Sequence, residues 1–128
     1  MTQWILWALI IFFVQSILPP IFRYVLRRDP KILETLGARD NPPETSVLGE
    51  RSERALQNMM EASILFLPLA VLAQFGEANT QAIDGAMIFV LARAIYIPLY
   101  VFGVPVLRSI AWTIGHAGLV LIGLTVVS

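Results

Sequence analysis

Arg51, Arg54, Asn58 and Glu61 stand at i, i+3, i+7 and i+10 in the stretch GERSERALQNMMEASILFLPL, residues 49–69. At helical spacing they share one face, with Glu50 and Gln57 flanking the stripe. Leu56, Met59, Met60, Ile64 and Leu65 occupy the other faces. Charged side chains on a membrane-embedded helix are costly, and they face a bundle interior or a water-filled cavity where they have a task. A solvated first turn at the headgroup level would account for Arg51 and Arg54. It accounts poorly for Asn58 and Glu61, which lie a turn or more deeper.

A second stripe repeats the pattern. Arg93, Tyr96 and Tyr100 follow at i, i+3 and i+7, and Arg108 with Trp112 opens the next apolar segment. All fall at about the depth of Arg51 to Glu61. Together they predict a basic pocket, rich in hydrogen-bond donors, walled by apolar helices and open to the cytoplasm. Such a pocket suits a small anion carrying carboxylates, which guanidinium groups grip with two parallel bonds. Arg93 has a second reading as the structural partner of Glu61, and both hold if that pair shapes the pocket floor. Tyr96 and Tyr100 also fit an interfacial belt, and Arg108 a flanking charge that snorkels. A lone histidine on an apolar helix, as His116 is, reads as an interhelical hydrogen-bond donor. It has no second histidine beside it, so a protein-bound metal is not expected.

The elements that position these groups are long and apolar. The chain has 128 residues, 57% hydrophobic and 14% charged, against about 25% charged in ordinary soluble domains. Its mean hydropathy is +0.73. Spans are expected at about 4–26, 48–75, 81–102 and 106–127, each long enough for a hydrocarbon core of about 30 Å. They form one all-helical domain, an integral membrane four-helix bundle. Trp4 and Trp7 suit an interfacial anchor, and Pro19 and Pro20 should kink the first span. Tyr24, Arg27 and Arg28 mark its exit into water. A polar connection over 29–49 holds a short amphipathic piece (Ile32, Leu33, Leu36) and a turn cluster at 37–43. The apolar N-terminus lacks a basic leader and a cleavage site, so it reads as a retained span. Net charge is zero and cysteine is absent, which argues against nucleic acid as partner and removes thiolate chemistry.

Every lysine and arginine lies between Arg23 and Arg54 or at Arg93 and Arg108. The positive-inside rule then puts the 29–49 connection in the cytoplasm and both termini outside.

GERSERALQNMMEA followed by RAIYIPLYVFGVPVLRSIAW resembles the membrane-associated proteins in eicosanoid and glutathione metabolism, the MAPEG family. GARDNPP in the connection is similar to bacterial members, which implies a bacterial inner membrane. The resemblance covers nearly the whole chain. It implies a four-helix bundle assembled as a homotrimer, with glutathione held between subunits near the cytoplasm. Arg54, Asn58 and Glu61 match the second-span motif that contacts glutathione, with Arg51 supporting it from one turn before. Arg93 and Tyr100 match the third-span arginine and tyrosine, and Tyr96 stands where some members have histidine. Arg108 matches the arginine near the glutathione sulfur, where a cation favours the thiolate. Ser109 is a further donor to that sulfur. Gln57 stands where several active members carry a basic residue, and Trp112 where some carry tyrosine. The function implied is a glutathione-dependent transferase or peroxidase acting on lipophilic electrophiles or hydroperoxides drawn from the membrane lipid. A non-catalytic lipid-binding or scaffolding trimer on the same fold is the alternative.

Overall fold

A computed structural model describes residues 1–25 and 46–127. The expectations for Arg27, Arg28, the amphipathic piece and the 37–43 turn lie outside the described residues. Four helices make up the bundle: α1 (Thr2–Pro20), α2 (Val47–Phe75), α3 (Thr80–Val101) and α4 (Pro105–Val127). Each is long and apolar enough to cross a membrane. No strand occurs among the described residues.

Local chemistry sets the ends. Ser46 caps α2, its hydroxyl accepting from the Gly49 N–H at 3.1 Å, and Asn79 caps α3 through the Ala82 N–H at 2.9 Å. Both side chains satisfy amide donors that the first helical turn leaves unpaired. Pro105 begins α4, where its missing N–H costs nothing. The turn before it needs Gly103 at φ +73, a conformation that a Cβ disfavours.

Pro19 and Pro20 are the last two residues of α1 and do not break the helical path. The helix runs through both and then widens into a π-helical turn, Ile21–Val25. Proline removes an amide donor and crowds the preceding carbonyl, and a wider turn is one way to relieve that crowding. Pro68 and Pro98 likewise sit inside α2 and α3.

The interior is built from small residues around one aromatic pair. Phe66 of α2 and Phe89 of α3 stack with centroids 4.3 Å apart. Ala8, Ala62, Ala70, Ala82, Ala86 and Ile122 close around them. α3 and α4 come into close backbone contact where Gly85 meets Gly118; a Cβ on Gly118 would lie 2.5 Å from the Gly85 carbonyl oxygen. Within a bilayer the solvent is as apolar as leucine, so close backbone contact of this kind holds helices together. Outward faces carry large apolar side chains, among them Phe13, Ile64, Leu65 and Val120. This packing fixes the stagger of α3 against its neighbours and hence the height of Arg93.

Candidate functional site

Arg93 is the largest fully buried side chain, 2% exposed. Its Nη1 donates to Asn58 Oδ1 at 2.6 Å. Its faces lie against two rings, with Cζ 5.4 Å from the centroids of both Phe89 and Tyr96. Tyr96 then meets Tyr100 at 5.4 Å between centroids. The Arg108 guanidinium sits over the Tyr100 ring at 4.7 Å. Asn58, Arg93, Tyr96, Tyr100 and Arg108 therefore form one ladder of direct contacts from the bundle interior to the α3–α4 turn. Five residues that the two stripes singled out come together across three helices.

The remaining predicted site residues lie around this ladder and not in it. Glu61 is exposed and accepts from Gln57 Nε2 at 3.1 Å. The expected Arg93–Glu61 partnership is thus replaced by Arg93–Asn58: Asn58 lies about one turn nearer the start of α2, and the helix stagger puts that turn level with the guanidinium. Arg54 is exposed on α2 with Glu50 at 3.8 Å, a pairing worth about 0–1 kcal/mol in water. Arg51 turns away from the stripe. Its Nη1 donates to the Val101 carbonyl at 3.3 Å and its guanidinium occupies the space a Cβ on Gly103 would need. It ties α2 to the end of α3 and completes a carbonyl that the helix end leaves open. The Ser109 hydroxyl donates to the Pro105 carbonyl at 3.0 Å within α4. His116 is bound within its own helix, not between helices: Nδ1–H donates to the Trp112 carbonyl at 2.9 Å, and the two rings lie 3.7 Å apart.

Three polar groups escaped the sequence reading. Gln15 is 1% exposed and its Oε1 has no hydrogen-bond partner. The available signal was a lone amide in the apolar run of α1, since polar groups inside a span are rare and usually assigned a task. Arg23 pairs with Glu53 across α1 and α2, walling an open cleft of about 290 Å³ with Ser16 and Gln57. That pairing was not readable from spacing, because the two residues lie in different helices.

An all-helical bundle of four membrane-length helices, with an arginine–tyrosine ladder running from its interior to the α3–α4 turn, has the form of an integral membrane protein. The MAPEG family model matches residues 4–128, and the chain belongs to the MAPEG family, membrane proteins of glutathione and eicosanoid metabolism. No curated protein and no solved structure matches the chain.

Proposed function

We infer that the protein is a glutathione-dependent transferase or peroxidase of the membrane. Its second substrate would be a lipophilic electrophile or hydroperoxide arriving through the bilayer. The observation that carries this reading is the contact ladder itself, which links a guanidinium (Arg108), a phenol (Tyr100) and an amide (Asn58) through successive contacts. Those groups fit glutathione, a peptide with two carboxylates and a thiol. Arg54, Asn58, Glu61 and Tyr100 hold the charged ends, and Arg93 fixes the Asn58 amide for that task. Arg51 sets the height of α2 against the α3–α4 turn.

Glutathione supplies the sulfur nucleophile when bound. Arg108 lies at the cytoplasmic end of the ladder, and a fixed cation beside a thiol favours the ionised form. Ser109 reaches the same place only by giving up its bond to Pro105. The cytoplasmic entry of glutathione follows from the one-sided arginines, with both termini outside and the 29–49 connection inside, in a bacterial inner membrane. Exposed Arg54 and Glu61 leave the pocket open on one flank, which a neighbouring subunit of a homotrimer would close.

Purified protein supplied with glutathione and a generic lipophilic electrophile should form the thioether at a rate that saturates in both. Absence of any thioether, and of glutathione-dependent hydroperoxide reduction, would sink the enzyme reading and leave the scaffold.

A further inference from the structure

The α3–α4 turn has Tyr100 on one side and Arg108 on the other, and a definite set of bonds builds it. The Gly103 N–H donates to the Tyr100 carbonyl at 3.1 Å, and the Val104 N–H donates to the Leu99 carbonyl at 2.9 Å. With Gly103 at φ +73, these two bonds make the paired closure of a helix end known as the Schellman motif. The Phe102 N–H serves the Pro98 carbonyl at 2.9 Å. That leaves the carbonyl of Val101. In a continuing helix its donor would be the N–H of residue 105, which is proline and has none.

Arg51 supplies the missing donor from another helix. Its Nη1 donates to the Val101 carbonyl at 3.3 Å. A Cβ on Gly103 would lie 2.5 Å from that nitrogen and 2.7 Å from Cζ. Gly103 therefore serves twice, through its positive φ and through the room it leaves for the guanidinium. The cation also sits at the C-terminal end of α3, where the helix dipole favours positive charge. The same turn sets a distance that the proposed chemistry uses. Arg108 stands one turn into α4, its N–H bonded to the Val104 carbonyl at 3.1 Å. Its guanidinium reaches back over Tyr100, 4.7 Å from the ring centroid. A change in the shape of the turn moves Arg108 relative to Tyr100 and to α2.

We propose that Arg51 is a positioning residue: from α2 it caps the α3–α4 turn and so holds Arg108 where it acts on the glutathione sulfur, without touching the tripeptide. The catalytic half of this proposal rests on the glutathione reading; the cap itself does not. It assigns Arg51 to the turn and not to the ligand.

Two readouts separate the cap from the chemistry. Hydrogen exchange followed by mass spectrometry, on protein in lipid nanodiscs without glutathione, reads the cap. In Arg51→Met, which keeps the apolar stem, the amides of Gly103 and Val104 should exchange roughly fivefold faster, as expected for a turn that has lost one hydrogen bond. Exchange around Phe89 and Arg93 should not change. Arg51→Lys keeps a cation that can reach a terminal carbonyl and should recover most of the protection. The second readout is the pH titration of protein-bound glutathione, followed by thiolate absorbance beside steady-state kinetics. In Arg51→Met the bound thiol should ionise at higher pH, the direction expected for Arg108→Ala, because the cation is less well placed. The kcat should fall about tenfold, short of the roughly hundred-fold that a displacement of about 1 Å can cost. KM for glutathione should stay within about twofold. A folding defect alone would lower kcat by the inactive fraction and leave the thiol titration where it was.

Gly103→Ala disturbs the same turn from its other side, and it carries the test if Arg51→Met does not fold. It should shift the titration in the same direction. In the Arg51→Met/Gly103→Ala protein the two shifts should not add, because both act through one turn. A raised KM with unchanged titration and unchanged exchange would make Arg51 a ligand contact and overturn the proposal. Additive shifts, or exchange that does not respond, would also overturn it. If the unmutated protein consumes no glutathione, the glutathione reading falls and takes the catalytic half with it, whereas faster exchange in Arg51→Met still establishes the cap.

Discussion

Replacing Arg108 by alanine separates its role in the fold from its role in chemistry. Its described contact is the face of Tyr100, at 4.7 Å from Cζ to the centroid. A cation–π contact at a partly exposed site is worth about 0.5–1 kcal/mol, so Arg108→Ala should stay folded with a small fall in melting temperature. The effect on the reaction should be much larger. Loss of one charge-assisted contact to the sulfur, about 1.5–3 kcal/mol, slows the chemical step roughly ten- to a hundred-fold. Glutathione affinity should fall only modestly, because the charged ends of the tripeptide are held elsewhere, by Arg54, Asn58, Glu61 and Tyr100. The sign with pH follows. Without the cation the bound thiol ionises at higher pH, so the variant should recover part of its rate as pH rises, while the unmutated protein has already reached its plateau. Arg108→Lys should keep most of the charge but lose the planar stack, and fall between the two. Steady-state kinetics over a pH series, with the thiolate followed by its ultraviolet absorbance, measures all three. Normal turnover in Arg108→Ala would place the sulfur elsewhere and refute the assignment.

Other outcomes follow from particular contacts. Asn58→Leu removes the one hydrogen bond that Arg93 makes within the described structure and leaves a buried guanidinium unpaired. It should cost about 1.5–3 kcal/mol, read as a loss of detergent-phase thermal stability, and a neutral result would mean that Arg93 has another partner. Gly118→Ala would put a Cβ 2.5 Å from the Gly85 oxygen and 2.9 Å from the Phe89 nitrogen, both backbone atoms that cannot rotate away. The α3–α4 pair should separate, with a destabilisation of about 1–3 kcal/mol; the same change at Gly123, which meets nothing within 4 Å, should be close to silent. In this cysteine-free chain, Asn79→Cys and Asn41→Cys should react with an impermeant thiol reagent from opposite sides, and labelling of Asn41→Cys from outside intact cells would invert the proposed topology.

The spacing of polar residues carried the faces but not the pairings. Arg93, Tyr96 and Tyr100 share a face because a helix repeats every 3.6 residues, and that much needs no partner helix. Whether Arg93 meets Asn58 or Glu61 depends on a stagger of one turn between α2 and α3. That stagger is set by the stacking of Phe66 on Phe89, a contact between residues far apart in sequence. Arg51 shows the same limit. Its position on the stripe is a local fact, whereas its capture by the Val101 carbonyl depends on the turn that Gly103 makes possible. The sequence predicts a kink at Pro19 and Pro20; the structure has a π-helical turn just after them, and widening the helix is one way to relieve the crowding that proline causes. Gln15 was passed over because a single amide in an apolar run has no periodic partner on its own helix. Its burial becomes informative only once the other helices stand around it.

Glutathione-dependent thermal stabilisation of the purified, unmutated protein tests the central claim most directly. A ligand that binds only the folded state must raise its stability, by about 2.7 kcal/mol at a hundred times its dissociation constant. Bound on the ladder, glutathione should raise the melting temperature in a saturable way, and the shift should shrink in Arg54→Ala. A melting temperature that does not move with glutathione at any concentration, in protein that remains folded, would contradict the account.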